Sequence, residues 1–181
     1  MTGQETTATA HARETEPIGG ALPAGGEIDY TIIELLFFAY RDFTSDPDQI
    51  LAQYGFGRAH HRVVHFVNRR PGLTVAELLD VLKITKQSLA RVLKQLLDAG
   101  HIVQVQGARD RRQRELYPTA RGRALAEALS MPQTQRIAGA LEGAEPRDRA
   151  AVERFLLGMV DPGSREQVAP AWEPADWEPS G

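Results

Sequence analysis

The chain has 181 residues, 42% of them apolar and 25% charged, with 21 Lys and Arg against 24 Asp and Glu, no cysteine and a net charge of -3. That length suits one domain with appendages, and the apolar fraction supports a buried core rather than global disorder. The missing cysteines exclude disulfides, thiolate metal sites and thiol redox sensing; no apolar run reaches the roughly 18 residues of a membrane span, and the opening MTGQETTATAHARETEP has no apolar stretch for a secretory signal, so a cytoplasmic protein is expected.

Residues 1–26, rich in Gly, Pro, Thr and Glu, read as a disordered tail. Residues 28–43 are apolar almost all round (Ile32, Ile33, Leu35, Leu36, Phe37, Phe38), which in a small chain favours a helix shared with a second subunit. Asp46-Pro47 reads as the N-cap and first turn of a separate short helix ending at Gly55-Phe56-Gly57. Residues 58–67 form the next helix, with Val63, Val64, Phe66 and Val67 inward, and the Pro-Gly pair of RRPGL makes residues 69–73 a loop. Thr74-Val-Ala-Glu77 is a capping box opening a short helix with Leu78, Leu79 and Leu82. A tight turn at Lys83-Ile84 follows, and Thr85 caps a helix whose Leu89, Val92, Leu93 and Leu96 make one buried stripe before Gly100 ends it. Two short helices with a brief turn are a helix-turn-helix. The period then changes to two. HIVQVQ at 101–106, with Val103 and Val105 on one face, and residues 113–118, with Leu116 and Tyr117, are strands around the polar loop 107–112, which makes a hairpin or "wing". Thr119 caps a helix through Arg123, Leu125, Ala128 and Leu129, kinked or interrupted near Pro132, and a last helix covers 146–160 with Val152, Phe155, Leu156 and Met159. Residues 161–181, with Trp172 and Trp177 in acidic Pro-rich sequence, read as a second disordered tail.

Charge is unevenly spread along these elements. Residues 83–123 hold ten Lys and Arg against Asp98, Asp110 and Glu115, a net +7 inside an acidic chain. Such a region points to a localised anionic partner. A helix-turn-helix places its second helix in the DNA major groove. Thr85, Lys86, Gln87, Ser88, Arg91 and Lys94 lie off the apolar stripe of that helix; Gln bonds adenine bidentately, Arg does so with guanine, Ser serves either base, and Lys86 and Lys94 suit phosphates. The wing gathers Arg109, Arg111, Arg112 and Arg114, which can reach the neighbouring minor groove, where narrow tracts attract arginine. Asp110 is an acid where phosphate is expected, and makes sense if it pairs with Arg112 and directs its guanidinium; the other reading is an ordinary surface aspartate.

Residues 28–160 resemble the MarR family of winged-helix regulators. PGLTVAELLDVLKITKQSLARVLKQLLDAGHIVQ looks like the family's helix-turn-helix, and DRRQRELYPTARGRAL like its Asp-x-Arg wing, strand and Thr-x-x-Gly turn, with Asp110, Arg112, Thr119 and Gly122 at matching spacing. Pro118, where the family usually has Leu, has no amide and should end strand pairing. The resemblance implies a mainly α fold with a small β-hairpin wing: N-terminal dimerisation helices (27–56), a winged helix-turn-helix (57–118) and C-terminal dimerisation helices (119–160). It also implies a homodimer on a pseudopalindromic double-stranded DNA operator, with Arg112 as the minor-groove arginine and Asp110 as its partner.

Members of that family often bind small acidic or phenolic effectors between the two parts, and here Tyr40, Arg41, Phe43, His61 and His65 are candidates for a pocket wall. His61 and His65 share a helical face at a spacing that can bind zinc, with His60 pointing elsewhere, but no acid or third histidine completes a metal site. The other readings are hydrogen bonds to the N-terminal helix or the DNA backbone, or an organic-ligand wall. No metal or cofactor is expected. No phosphate loop, nucleophile elbow or acid/base pair suggests an enzyme. The rival readings are a nonspecific architectural DNA-binding protein and a winged-helix module that binds protein.

Overall fold

The computed structural model describes residues 26–107 and 110–168. Compact packing divides the described residues between Leu36 and Phe37, within the first helix. In order the elements are α1 (Tyr30–Ala52), α2 (Arg58–Arg69), β1 (Leu73–Thr74), α3 (Val75–Leu82), α4 (Lys86–Asp98), β2 (Ile102–Gln106), β3 (Arg114–Pro118), α5 (Ala120–Ala140), α6 (Pro146–Met159) and a 3₁₀ helix (Pro162–Gln167). Among the described residues no helix is long and apolar enough to cross a membrane.

Pro47 does not begin a new helix. It lies inside α1, fully buried, and the helix runs through it to Ala52. An internal proline removes one backbone hydrogen bond. The turn before it takes side-chain bonds instead: Thr44 Oγ1 donates to the Tyr40 and Arg41 carbonyls at 2.9 and 3.1 Å, and Ser45 Oγ to the Asp42 carbonyl at 2.9 Å. Pro132 is likewise internal to an unbroken α5.

The core of residues 37–168 joins Leu51 of α1, Val63, Val64 and Val67 of α2, Leu78 and Leu82 of α3, the expected α4 stripe, Ile102, Leu116, and Leu125 and Leu129 of α5. Phe66 packs against this core while partly buried, and His60, also buried, reaches between α2 and α4. Gly57 N–H donates to His60 Nδ1 at 3.1 Å, which leaves Nε2 as the donor to Gln95 Oε1 at 2.9 Å.

The sheet has three antiparallel strands in the order β1-β3-β2, not the two of a bare hairpin. Leu73 and Thr74 pair with Leu116 and Glu115. On β2 the buried residue is Ile102, whereas Val103 and Val105 face away and Val105 is exposed. The β2–β3 ladder runs from Ile102↔Pro118 to Gln106↔Arg114, and Pro118 is the last residue of β3. Residues 162–167, expected to be unstructured, form the 3₁₀ helix; Arg70 donates to the Gln167 carbonyl, and Gln167 Nε2 to Asp80 at 2.6 Å.

Candidate nucleic-acid interface

The helix-turn-helix is fixed by its caps. Thr74 Oγ1 accepts from Glu77 N–H at 3.2 Å, while Glu77 Oε2 accepts from Thr74 N–H at 2.8 Å, the reciprocal pair of a capping box. Thr74 Oγ1 also donates to Glu77 Oε2 at 2.6 Å, and this bond, with the one from the Thr74 N–H, holds the Glu77 carboxyl below its ordinary pKa. α3 stops at Lys83, whose φ of 50° puts it in the left-handed region and lets its N–H bond the Leu79 carbonyl at 3.0 Å. Thr85 then caps α4, accepting from Ser88 N–H at 3.2 Å and donating to Ser88 Oγ at 2.9 Å. Both hydroxyls are therefore engaged with each other at the start of α4, although both residues are exposed.

Leu89, Val92, Leu93 and Leu96 are buried, and Lys86, Gln87, Arg91 and Lys94 are exposed, so the polar set forms the outer face of α4. Lys94 pairs with Asp98 at 2.6 Å. Among the described residues, the side-chain cations of Lys86, Arg91, Arg111, Arg112 and Arg114 enter no ion pair.

The wing turn is closed by backbone bonds: Gly107 N–H to the Gln113 carbonyl at 3.1 Å, and Gln113 N–H to the Asp110 carbonyl at 3.0 Å. A Cβ on Gly107 would stand 2.8 Å from the Asp110 carbonyl oxygen, so that corner requires glycine. Asp110 bonds Arg112 through the backbone: Oδ1 accepts from the Arg112 N–H at 2.9 Å, and among the described residues no ion pair joins Asp110 to the Arg112 guanidinium. An aspartate bonding the amide two residues on is an Asx-turn, which shapes the loop that carries the arginine. Gln106 Nε2 adds a bond to the Arg111 carbonyl at 2.9 Å, a support that sequence reasoning missed. Arg109 lies outside the described residues, as do Trp172 and Trp177.

A cavity of about 360 Å³ lies between α1, α2 and α5, lined by Tyr40, Phe43, Thr44, Arg58, His61, Arg62, His65, Phe66 and Gln133. Four of the five expected wall residues are there. Arg41 is not: it points to solvent, bonded to Asp42 at 2.8 Å and 4.9 Å over the Phe38 ring. Arg58 and Arg62 were missed, yet they share the helical face of His61 and His65 and could have been found by that spacing. Arg62 also donates to the Leu82 carbonyl at 2.7 Å, and Arg58 pairs with Asp48 at 2.8 Å. Burial pushes the His61 imidazole below its ordinary pKa. Among the described residues, no group of three His, Cys, Asp or Glu is placed to hold a metal.

A MarR family model matches residues 54–113, from just before α2 to the wing loop ahead of β3. The HTH-type transcriptional regulator PetP of Rhodobacter capsulatus is 50% identical over 133 residues, 74% of this chain and 80% of that protein. Solved structures share the fold at lower identity. A mutant MepR from a multidrug-resistant S. aureus clinical isolate is 18% identical with a TM-score of 0.63 over 73% of this chain and 96% of that one. FabT of Streptococcus pneumoniae in complex with DNA is 18% identical with a TM-score of 0.61 over 71% and 92%. A MarR family regulator of Listeria monocytogenes, complexed with 26mer DNA, is 18% identical with a TM-score of 0.61 over 75% and 89%. The helix-turn-helix, the Asx-turned wing and a half-identical relative agree: the chain belongs to the MarR family of transcriptional regulators.

Proposed function

We propose that this regulator acts in the cytoplasm as a homodimer, by binding rather than catalysis, on a pseudopalindromic operator. In this reading each α4 enters a major groove, where Thr85, Gln87, Ser88 and Arg91 meet base edges and Lys86 and Lys94 meet phosphates. Arg112 enters the adjacent minor groove, with Arg109, Arg111 and Arg114 around it and Asp110 shaping the turn. The observation that carries the reading is the set of five exposed, unpaired cations on two elements held rigidly by one core. That two of the fold's relatives are held in complex with DNA supports it.

The dimer reading rests on α6 and α1. α6 has no buried residue and exposes Val152, Phe155, Leu156 and Met159 at helical spacing, a stripe that an isolated subunit gains nothing by showing to water. Phe37, Phe38 and Tyr40 of α1 are also exposed. The cavity at His61 and His65 is proposed to take a small acidic or phenolic effector, with Arg58 and Arg62 for its charge and Phe43 and Phe66 for its ring.

The test is selection of bound fragments from source DNA, then titration of the best site against salt and scrambled duplex. A palindromic motif preferred by roughly a thousandfold or more, with affinity falling steeply with salt, is expected. Weak binding without preference would overturn the reading.

A further inference from the structure

A groove of about 740 Å³ lies between α3, α4 and the sheet. Its floor is apolar, with Leu79, Leu93 and Leu97, and its rim carries Lys86, Lys94 and Arg112; Asp98, the acid beside it, is already bonded to Lys94. The groove therefore asks for an occupant with apolar side chains and negative charge. It is continuous with the face that would approach DNA, so an occupant there and a duplex exclude each other.

The chain itself carries such a segment. Residues 169–181, APAWEPADWEPSG, hold both tryptophans of the protein, three acids and no base. Their starting point is set by the structure. Gln167 is tied to Arg70 and to Asp80 of α3. Gln167 and the groove sit on neighbouring faces of α3, and Ala76 borders both. A helix with its side chains is about 10–12 Å across. The five residues from Gln167 to Trp172 can span up to about 17 Å when extended, enough to carry that indole around α3 to the groove. Trp172 and Trp177 are five residues apart with Glu173 and Asp176 between them, so two apolar anchors can alternate with acids facing the basic rim.

We propose that residues 169–181 dock in this groove of their own chain and compete with DNA, so that the acidic tail acts as a built-in attenuator of DNA binding. The proposal rests on the DNA-binding reading above. Docking is electrostatic at the rim, and weakens as salt rises. Because tail and duplex exclude each other, docking lowers the affinity for every duplex, cognate or not, by the same factor.

Because both tryptophans lie in the tail, fluorescence of the unmodified full-length protein reports on it alone. The first arm measures acrylamide quenching of free protein at low salt, then with a mixed-sequence DNA duplex added. Shielded tryptophans that become quenchable on addition of duplex are expected. Tryptophans as quenchable as free N-acetyltryptophanamide before DNA is added, or shielded equally with and without bound duplex, overturn the proposal. The second arm uses the full-length triple variant E173Q/D176N/E178Q. It is expected to bind the duplex roughly 5-fold tighter or more, the lower end of common coupling between linked equilibria; unchanged affinity overturns the proposal. Shielding that grows with protein concentration well above that of the dimer would mean the groove is filled by another copy's tail, and would overturn docking within one chain. Loss of all duplex binding, by the wild type as well, would instead refute the DNA-binding reading, so the two failures are separable.

Discussion

Gln133 of α5 donates its side-chain amide to the Phe43 carbonyl of α1 at 3.3 Å, and that carbonyl is the one Pro47 leaves without a helical donor. One turn along, Arg136 pairs with Asp46 at 2.8 Å. An internal proline in one helix is thus matched by a polar pair from another, and the match holds α1 against α5 beside the cavity at His61. Gln133→Leu removes the donor while keeping bulk, and should cost about 1–2 kcal/mol, the range for a partly buried carbonyl left unpaired. Arg136→Ala should cost under about 1 kcal/mol, because both members of the Arg136–Asp46 pair are partly exposed. Urea unfolding of both variants checks the order; equal small losses would mean the Gln133 bond is incidental.

Arg112→Ala should weaken operator binding by about 1–3 kcal/mol and leave the fold intact, because its side chain is exposed and takes no part in the core. Asp110 separates two ideas about the wing. If its carboxylate acts by bonding the Arg112 amide, Asp110→Asn keeps an acceptor and should bind nearly as well as wild type, whereas Asp110→Ala should bind several-fold worse. If Asp110 only repels phosphate, both variants bind tighter. A duplex titration at fixed salt distinguishes these outcomes.

Gly122 is the second residue of the family spacing whose reason is visible. Thr119 Oγ1 caps α5 by accepting from Gly122 N–H at 3.0 Å and donates to the Gly100 carbonyl at 2.7 Å. That draws the first turn of α5 onto the turn between α4 and β2, where a Cβ at 122 would overlap the His101 carbonyl oxygen. Backbone meets backbone, so no rotamer can relieve it. Gly122→Ala should destabilise by about 3 kcal/mol or more, beyond the usual overpacking range. Recovery of a folded variant with wild-type thermal stability would contradict the close approach.

Much of this was readable because the deciding signals are local. The α4 stripe, the Thr74–Glu77 box, the left-handed turn at Lys83 and the glycine at 107 each depend on neighbours within a few residues. The misses share the opposite cause. Pro47 looked like a helix start because its compensation comes from Gln133, ninety positions beyond the Phe43 carbonyl it bonds. The two-residue β1 is defined only by its pairing to Leu116 and Glu115. His60 looked peripheral because its partner, Gln95, is on another helix. Arg58 was legible from its spacing to His61 and His65, but nothing local in the sequence shows that Arg41 turns to solvent instead of the cavity.

His101 gives the protein an acid-sensitive point. Its side chain is buried, its ring stands edge-on to Tyr54 and Phe56 at 5.7 and 5.6 Å, and neither ring nitrogen has a hydrogen-bond partner among the described residues. Burial pushes its pKa below the ordinary histidine range; the Arg121 backbone opposes this and the Arg121 charge adds to it. On the far side of Phe56 lies His60, stacked at 4.5 Å. The unfolded chain therefore takes up a proton near its ordinary value of about 6.5, while the folded chain does so only at a lower pH. Stability is at its full value above that pH and falls as pH drops through the window down to the lowered folded value, with a slope of at most about 1.4 kcal/mol per pH unit from this one residue. His61, also lowered by burial, adds a slope of the same sign. The test is therefore the difference between wild type and His101→Phe, a ring that keeps the aromatic contacts and cannot take a proton. Urea midpoints from about pH 8 to pH 5 should separate progressively on the acid side, with the variant gaining relative to wild type. Parallel curves would show that His101 is hydrated or partnered in solution and leave the acid response to His61 and His65, both also lowered by burial.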